Sequence, residues 1–307
     1  MEAAILAAML MLAGAAPAEP EKPVLDDQAR AEQLFKVIEK LKPLAAKLPQ
    51  PGPNDWLANH PEKGQTFRQY LDCRPTRPTG KRNVIYVQPL GDFTEKQRQL
   101  VKTTADFMAI YFNVPVKVKE DLPMKLIPER ARRKFPHGGW EQILSTYVLE
   151  EVLLPRLPAD AAACIAFTAT DLWPGEGWNF VFGQASDDRV GVWSFNRFGD
   201  PEKSEEDYRK ALLRTLKLAT HETGHMFSIA HCTAYLCNMC GSNHLDETDA
   251  HPLALCPECL AKLCWAAKAD PAERYKKLAE FCKEQKLEAE EKAYRKLLEA
   301  LAPDAKP

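Results

Sequence analysis

The sequence predicts an α/β domain, a mixed sheet of about five strands with a long helix behind it. Two observations carry that prediction. From Asn83 onward, short apolar runs rich in β-branched residues alternate with stretches of helical period. Ser204 then opens one long helical stretch that ends in histidines and cysteines. Composition permits such a core: the 307 residues are 45% hydrophobic and 9% aromatic, and a charged fraction of 27% argues against wholesale disorder. The net charge of -2 predicts no general affinity for nucleic acid or anionic membranes.

Residues 1–18, MEAAILAAMLMLAGAAPA, are apolar and close on Ala16-Pro17-Ala18, the form of a secretory signal peptide cleaved before Glu19. Export to the periplasm or the extracellular space is the expectation. The stretch has no Lys or Arg and carries Glu2, so a cytoplasmic location is the alternative. No later segment reaches about 18 uninterrupted apolar residues, and no stable membrane span is expected. Residues 26–42 place Leu34, Phe35, Ile38 and Leu41 at helical spacing, and Pro43, Pro49, Pro51 and Pro53 break the chain beyond them. Residues 19–82 are therefore an N-terminal helix and a Pro-rich arm.

The α/β pattern then predicts a strand at 84–87, a helix at 93–112 with Thr94 as N-cap, and a strand at 114–118. A helix is predicted at 140–154 and strands at 163–168, 178–184 and 190–195, the last two joined around Ser186-Asp187-Asp188. Ser204 caps a helix from Glu205 to about Ile229. Residues 268–307 form a C-terminal helical extension in which Tyr275, Leu278, Phe281 and Cys282 recur at helical spacing, followed by Tyr294, Leu297 and Leu298. Either it packs on the domain as a hairpin or it offers a partner surface, and amphipathic helices usually bury their stripe.

The chemistry lies in HETGHMFSIAHC, His221 to Cys232. His221 and His225 are four apart and so stand on one helical face, where two imidazole nitrogens can reach one metal ion. Glu222 follows the first histidine, in place to take a proton from metal-bound water, and His231 supplies a third nitrogen. Three protein ligands leave a catalytic zinc its open position. Cys232, Cys237, Cys256 and Cys259 follow at the spacing of a structural four-cysteine zinc site. Two disulfides are the alternative, although Cys256 and Cys259 share one turn. A redox CxxC lacks its βαβ context. Nine cysteines are an odd number, so at least one thiol has no partner within the chain.

HExxHxxxxxHC-x4-C-x-M followed by CxxC resembles the archaemetzincin family of metzincin-type zinc metalloproteases. The likeness extends upstream through QPLGDF (residues 88–93), VPVKV, DLWPGEGWNFVFGQAS (171–186) and VGVWSFNRF (190–198), and covers residues 83–267 as one catalytic domain. It implies an α+β metzincin-like fold with a C-terminal subdomain held by the four-cysteine site. It implies His221, His225 and His231 as ligands of a catalytic zinc, with Glu222 as general base. It also implies Cys232, Cys237, Cys256 and Cys259 as ligands of a second, structural zinc, and Met239 as the Met-turn residue. The family has glycine where this chain has Ser228, a position that ends the helix in a left-handed conformation at a cost to serine of about 1–2 kcal/mol.

The expected activity is hydrolysis of peptide bonds in a peptide or protein substrate by zinc-activated water, in a monomer with two zinc ions. In metzincins a strand ahead of the metal helix pairs with an extended peptide, and residues 178–184 are the expected strand here. A zinc-stabilised binding module without catalysis is the competing reading, and Glu222 has no use in it.

Overall fold

The computed structural model describes residues 26–78 and 80–302; the expected signal segment lies outside the described residues. In chain order the elements are α1 (Asp27–Leu41), α2 (Trp56–Asn59), α3 (Phe67–Asp72), β1 (Val84–Leu90), α4 (Glu95–Phe112), β2 (Val116–Val118), β3 (Arg132–Lys134) and β4 (Glu141–Leu144). They continue with α5 (Ser145–Tyr147), β5 (Ala161–Thr168), β6 (Asp171–Trp173), β7 (Gly183–Ser186), β8 (Val190–Ser194) and α6 (Glu205–Met226). The last four are α7 (Leu245–Ala250), α8 (Pro257–Ala266), α9 (Pro271–Glu284) and α10 (Glu288–Leu301).

Five strands form the main sheet in the order β2-β1-β5-β8-β7, as expected. The first four run parallel, and β7 lies antiparallel on the edge of β8. Side chains alternate across β5 with period two. Ala163, Ile165 and Phe167 join the core under α4 and α6. Cys164 and Ala166 face the other layer, built from Val148, Leu149, Val152 and Leu153. Both faces are covered, so β5 is buried throughout and its sequence, AAACIAFT, is apolar without alternation. Thr94 caps α4 through a reciprocal capping box with Gln97.

The C-terminal extension is a packed hairpin. Tyr275, Leu278, Phe281 and Cys282 of α9 and Tyr294 of α10 are buried in the main core, with α9 against α4 and α10 against α1.

Three local expectations are corrected. Residues 140–154 are not one helix: 141–144 form β4, which pairs with β3 and β6 in a second, three-stranded sheet. Tertiary hydrogen bonds account for this, because the Gln142 amide and the Trp140 indole both donate to the buried Asp171 carboxylate. The residues after β4 do turn helical, passing through a π-helical segment at Val148–Leu153.

The strand expected at 178–184 is shifted to Gly183–Ser186. β8 ends at Ser194, and beyond the Ser194 N–H bond to the Phe182 carbonyl it offers no further partner to residues before Gly183. Val181 makes only an isolated bridge to Leu172.

The metal-bearing helix stops at Met226 rather than Ile229. Ser228 takes φ 62°, the left-handed region. Its N–H reaches the His225 carbonyl at 2.8 Å, and the Ile229 N–H reaches the Gly224 carbonyl at 3.1 Å. This is the Schellman arrangement in which glycine is the usual residue. Serine gains an offsetting bond, since the Thr76 N–H donates to its hydroxyl at 3.0 Å. Ser228→Ala keeps the backbone cost and loses that bond, so its unfolding free energy should fall by about 1 kcal/mol. Ser228→Gly trades one for the other and should stay within about 1 kcal/mol of wild type. Urea midpoints decide; an alanine variant as stable as wild type would show that the hydroxyl contributes nothing.

Candidate metal centre

The last two turns of α6 carry His221, Glu222 and His225, and the Schellman turn returns the chain so that His231 joins them. One ring nitrogen from each histidine lies within 4.8 Å of the others. Every Nδ1 is already committed. That of His221 lies 2.8 Å from the Asn238 carbonyl, and that of His225 lies 2.7 Å from the Ile229 carbonyl. A carbonyl only accepts, so both Nδ1 atoms carry the proton and both Nε2 atoms present lone pairs. Those two Nε2 atoms stand 3.0 Å apart. Lone pairs facing at that distance repel unless a cation sits between them, and a tetrahedral zinc with nitrogens at about 2.0–2.1 Å sets them about 3.3 Å apart. The donor set fits zinc.

Burial, reinforced by the neighbouring imidazoles, holds His221 well below the ordinary histidine value. Burial likewise brings His225 down to about 4, which keeps it neutral and able to bind metal. The Nδ1 of His231 donates to the Glu62 carboxylate, at 2.9 and 3.0 Å from its two oxygens. Burial pushes the Glu62 carboxyl up, but hydrogen bonds from His231 and Trp56 outweigh it and leave the group below its usual range.

Glu222 lines the cleft beside the histidines. Its carboxyl is pushed up to about 7 by burial alone. Met239 is buried against α6: a Cβ added to Gly224 would fall 2.8 Å from its sulfur. The glycine within HETGH is what lets the Met239 thioether approach α6 this closely.

Cys232, Cys237, Cys256 and Cys259 bring their sulfurs within 4.8 Å of one another, all buried. The Sγ atoms of Cys232 and Cys256 are 3.7 Å apart. That is far beyond a disulfide length and close to the edge, about 3.8 Å, of a tetrahedron with Zn–S of about 2.3 Å. All nine cysteines are free. Hydrogen bonds from the thiols of Cys237, Cys240, Cys256 and Cys259 pull Cys232 strongly down. Burial pushes Cys237 up, and the hydrogen bond with Cys232 does the same to Cys240 and Cys259. Four thiols packed this closely and this deeply resist ionising together until a cation compensates, as at a four-cysteine metal site. The Cys232 N–H donates to the Met239 carbonyl at 2.7 Å, which ties this site to the methionine packed on Gly224.

A third group, Asp55, His244 and Glu247, also has metal-ligand character. Its atoms are occupied otherwise. The Glu247 N–H donates to His244 Nδ1, leaving the Nε2 proton to face Asp55 at 3.3 Å. The Glu247 carboxylate accepts from the Trp56 and Asn243 N–H groups.

The histidines open on a cleft of about 570 Å³, walled on one side by residues 177–185, which include the outer edge of β7, and on the other by Trp56, Ser242 and His251. Sequence reasoning missed Glu62 and Trp56. Glu62 lies 169 residues from His231, and nothing local to the arm signals the contact.

A model described as peptidase family M54 matches residues 162–264. Archaemetzincin-2 of Homo sapiens is 34% identical over 267 residues, spanning 75% of this chain and 72% of that protein. The archaemetzincin of Thermococcus kodakarensis is 33% identical over 192 residues, which is 59% of this chain and 95% of the relative. A crystal structure of archaemetzincin from Methanopyrus kandleri aligns with TM-score 0.48 at 27% identity, over 62% of this chain and 99% of that one. With a relative at this identity covered over most of its length, the chain belongs to the archaemetzincin family and is a zinc metallopeptidase.

Proposed function

We propose that the protein hydrolyses peptide bonds at His221, His225 and His231, which hold the catalytic zinc, with Glu222 as general base. The observation that carries this is the pair of lone-pair nitrogens facing at 3.0 Å beside a carboxyl in the cleft wall. Zinc supplies Lewis acidity, polarising a carbonyl and easing the deprotonation of water. Glu222 accepts the proton of the attacking water and passes it to the leaving amine. Its place in the cleft wall strengthens it as a base, because burial makes its carboxyl a better proton acceptor than a solvated one. An extended peptide lies against the outer edge of β7, where residues 183–185 border the cleft and their backbone groups add main-chain hydrogen bonds.

A second, structural zinc belongs to Cys232, Cys237, Cys256 and Cys259, and Met239 serves as the Met-turn under the catalytic ion. The chain works as a monomer. Among the described residues no helix is long and apolar enough to cross a membrane. The apolar opening stretch directs export in this reading, with the second zinc shielding its four thiolates from oxidation.

Glu222→Gln should lower kcat by about 10²–10⁴-fold while metal analysis still returns two zinc ions per chain. A wild type that leaves a diverse peptide library intact with both ions bound would replace this reading with that of a binding module. Proton competition gives an independent check. The depressed value of His225 means that protons reach its ring only as pH falls toward about 4, not through 6.5. Zinc affinity at the histidines should therefore lose nothing to His225 protonation between pH 8 and 5.5. A solvent-exposed ligand would begin to lose about tenfold per pH unit below 6.5. Ring-proton NMR shifts of His225 in the zinc-stripped chain, which report this one ring, distinguish the two across that interval.

A further inference from the structure

We propose that the Pro-rich N-terminal arm is part of the metal site, with Glu62 as the positioning residue that fixes the tautomer and orientation of His231. The proposal rests on His231 being a zinc ligand.

The three histidines are not held alike. His221 and His225 stand on α6, and each donates its Nδ1–H to a backbone carbonyl, that of Asn238 and that of Ile229. His231 lies past the helix end, and its Nδ1 partner comes from the arm. A free imidazole exchanges readily between tautomers. A carboxylate on Nδ1 holds the proton there, leaves Nε2 as the donor and raises its basicity.

Glu62 is itself oriented. The Trp56 indole donates to Oε1 at 2.7 Å, and its ring meets the His231 ring edge-on, with centroids 5.2 Å apart. Trp56 is placed in turn by its backbone N–H, which donates to Glu247 at the start of α7.

The arm is docked along its length. A short bridge pairs Lys47 with Tyr235, and the Leu236 N–H donates to the Ala46 carbonyl. Gln65 spans the loop that delivers His231, giving its amide to the Ser228 carbonyl and accepting from the Ala230 N–H. The Tyr70 hydroxyl donates to the Phe227 carbonyl at 2.8 Å. Two glycines permit this closeness. A Cβ on Gly241 would fall 2.3 Å from the Trp56 ring, and one on Gly64 would fall 2.3 Å from the Thr233 hydroxyl. The contacts fall on the residues around the helix end and His231, the segment that α6 itself does not hold.

Glu62→Gln keeps the volume but cannot accept from both Trp56 and His231 with two equivalent oxygens; Glu62→Ala removes both acceptors. Zinc affinity at the histidines, measured by chelator competition in the full chain, should weaken 10–100-fold in each variant. The four-cysteine site, followed through its thiolate-to-cobalt absorption after cobalt substitution, should be unmoved. Nitrogen-15 shifts of His231 with the histidine site stripped of zinc should show the Nδ1–H tautomer in wild type and a shift toward Nε2–H in Glu62→Ala. Unchanged zinc affinity with the Nδ1–H tautomer retained in both variants would overturn the proposal. Equal losses at both metal sites would overturn it too, since Glu62 would then be supporting the fold in general. A wild type with no zinc at the histidines would defeat the peptidase reading, whereas the tautomer comparison would still decide the role of Glu62.

Discussion

Electrostatic repulsion between unprotonated imidazole nitrogens is the constraint on which the rest of the structure depends. His221 and His225 donate their Nδ1–H groups to carbonyls, so their remaining lone pairs face each other across 3.0 Å. The protein holds this arrangement by committing the other end of each ring, and burial keeps both rings from relieving the repulsion by taking up a proton. A zinc ion bound by both nitrogens is what that spacing fits. The four buried sulfurs present a related problem with thiols in place of imidazoles, since burial opposes the negative charge a thiolate ligand must carry.

The architecture can be understood as the means of holding those rings still. Central strands covered on both faces give a rigid base, and α6 lies across it with Tyr208, Leu212, Leu216 and Ala219 in the core. The end of α6 then has to change direction within a few residues. Ser228 accepts the left-handed backbone for this purpose, and the Thr76 N–H bonded to its hydroxyl offsets part of the cost. The same turn aims the Ile229 carbonyl at His225, so one backbone irregularity ends the helix and orients a ligand. Below the helix, the Cys237–Cys240 loop supplies the Asn238 carbonyl to His221 and the Met239 thioether to Gly224, and the four-cysteine cluster fixes that loop.

Where sequence-based expectation fails, it fails for one kind of reason. Residues 140–154 have apolar residues at helical spacing, and only the later part is helical. Gln142 and Trp140 are drawn into a sheet by the Asp171 carboxylate, a partner about thirty residues away in sequence. The edge strand expected at 178–184 begins later because pairing length is set by where β8 ends. Periodicity reports which face of a segment is apolar; it does not report whether a partner is present to complete the backbone bonds.

The sequence by itself determined the elements whose information is local. The α6 cap at Ser204, the capping box at Thr94, the unbroken apolar run of β5 and the four-residue step from His221 to His225 are all set by neighbours within a few positions. The grouping of His231 with the helical pair, and of the four cysteines, was also legible, because ligand chemistry restricts both residue type and spacing. Only the tertiary structure decided what holds those ligands. The carbonyls of Asn238 and Ile229 are backbone atoms that any residue carries, so no side-chain pattern marks them. Glu62 is an ordinary glutamate in a proline-broken arm, and its meaning arises only when that arm is laid across the end of α6. Long-range placement of this sort depends on packing of the whole chain, and a local window of sequence cannot encode it.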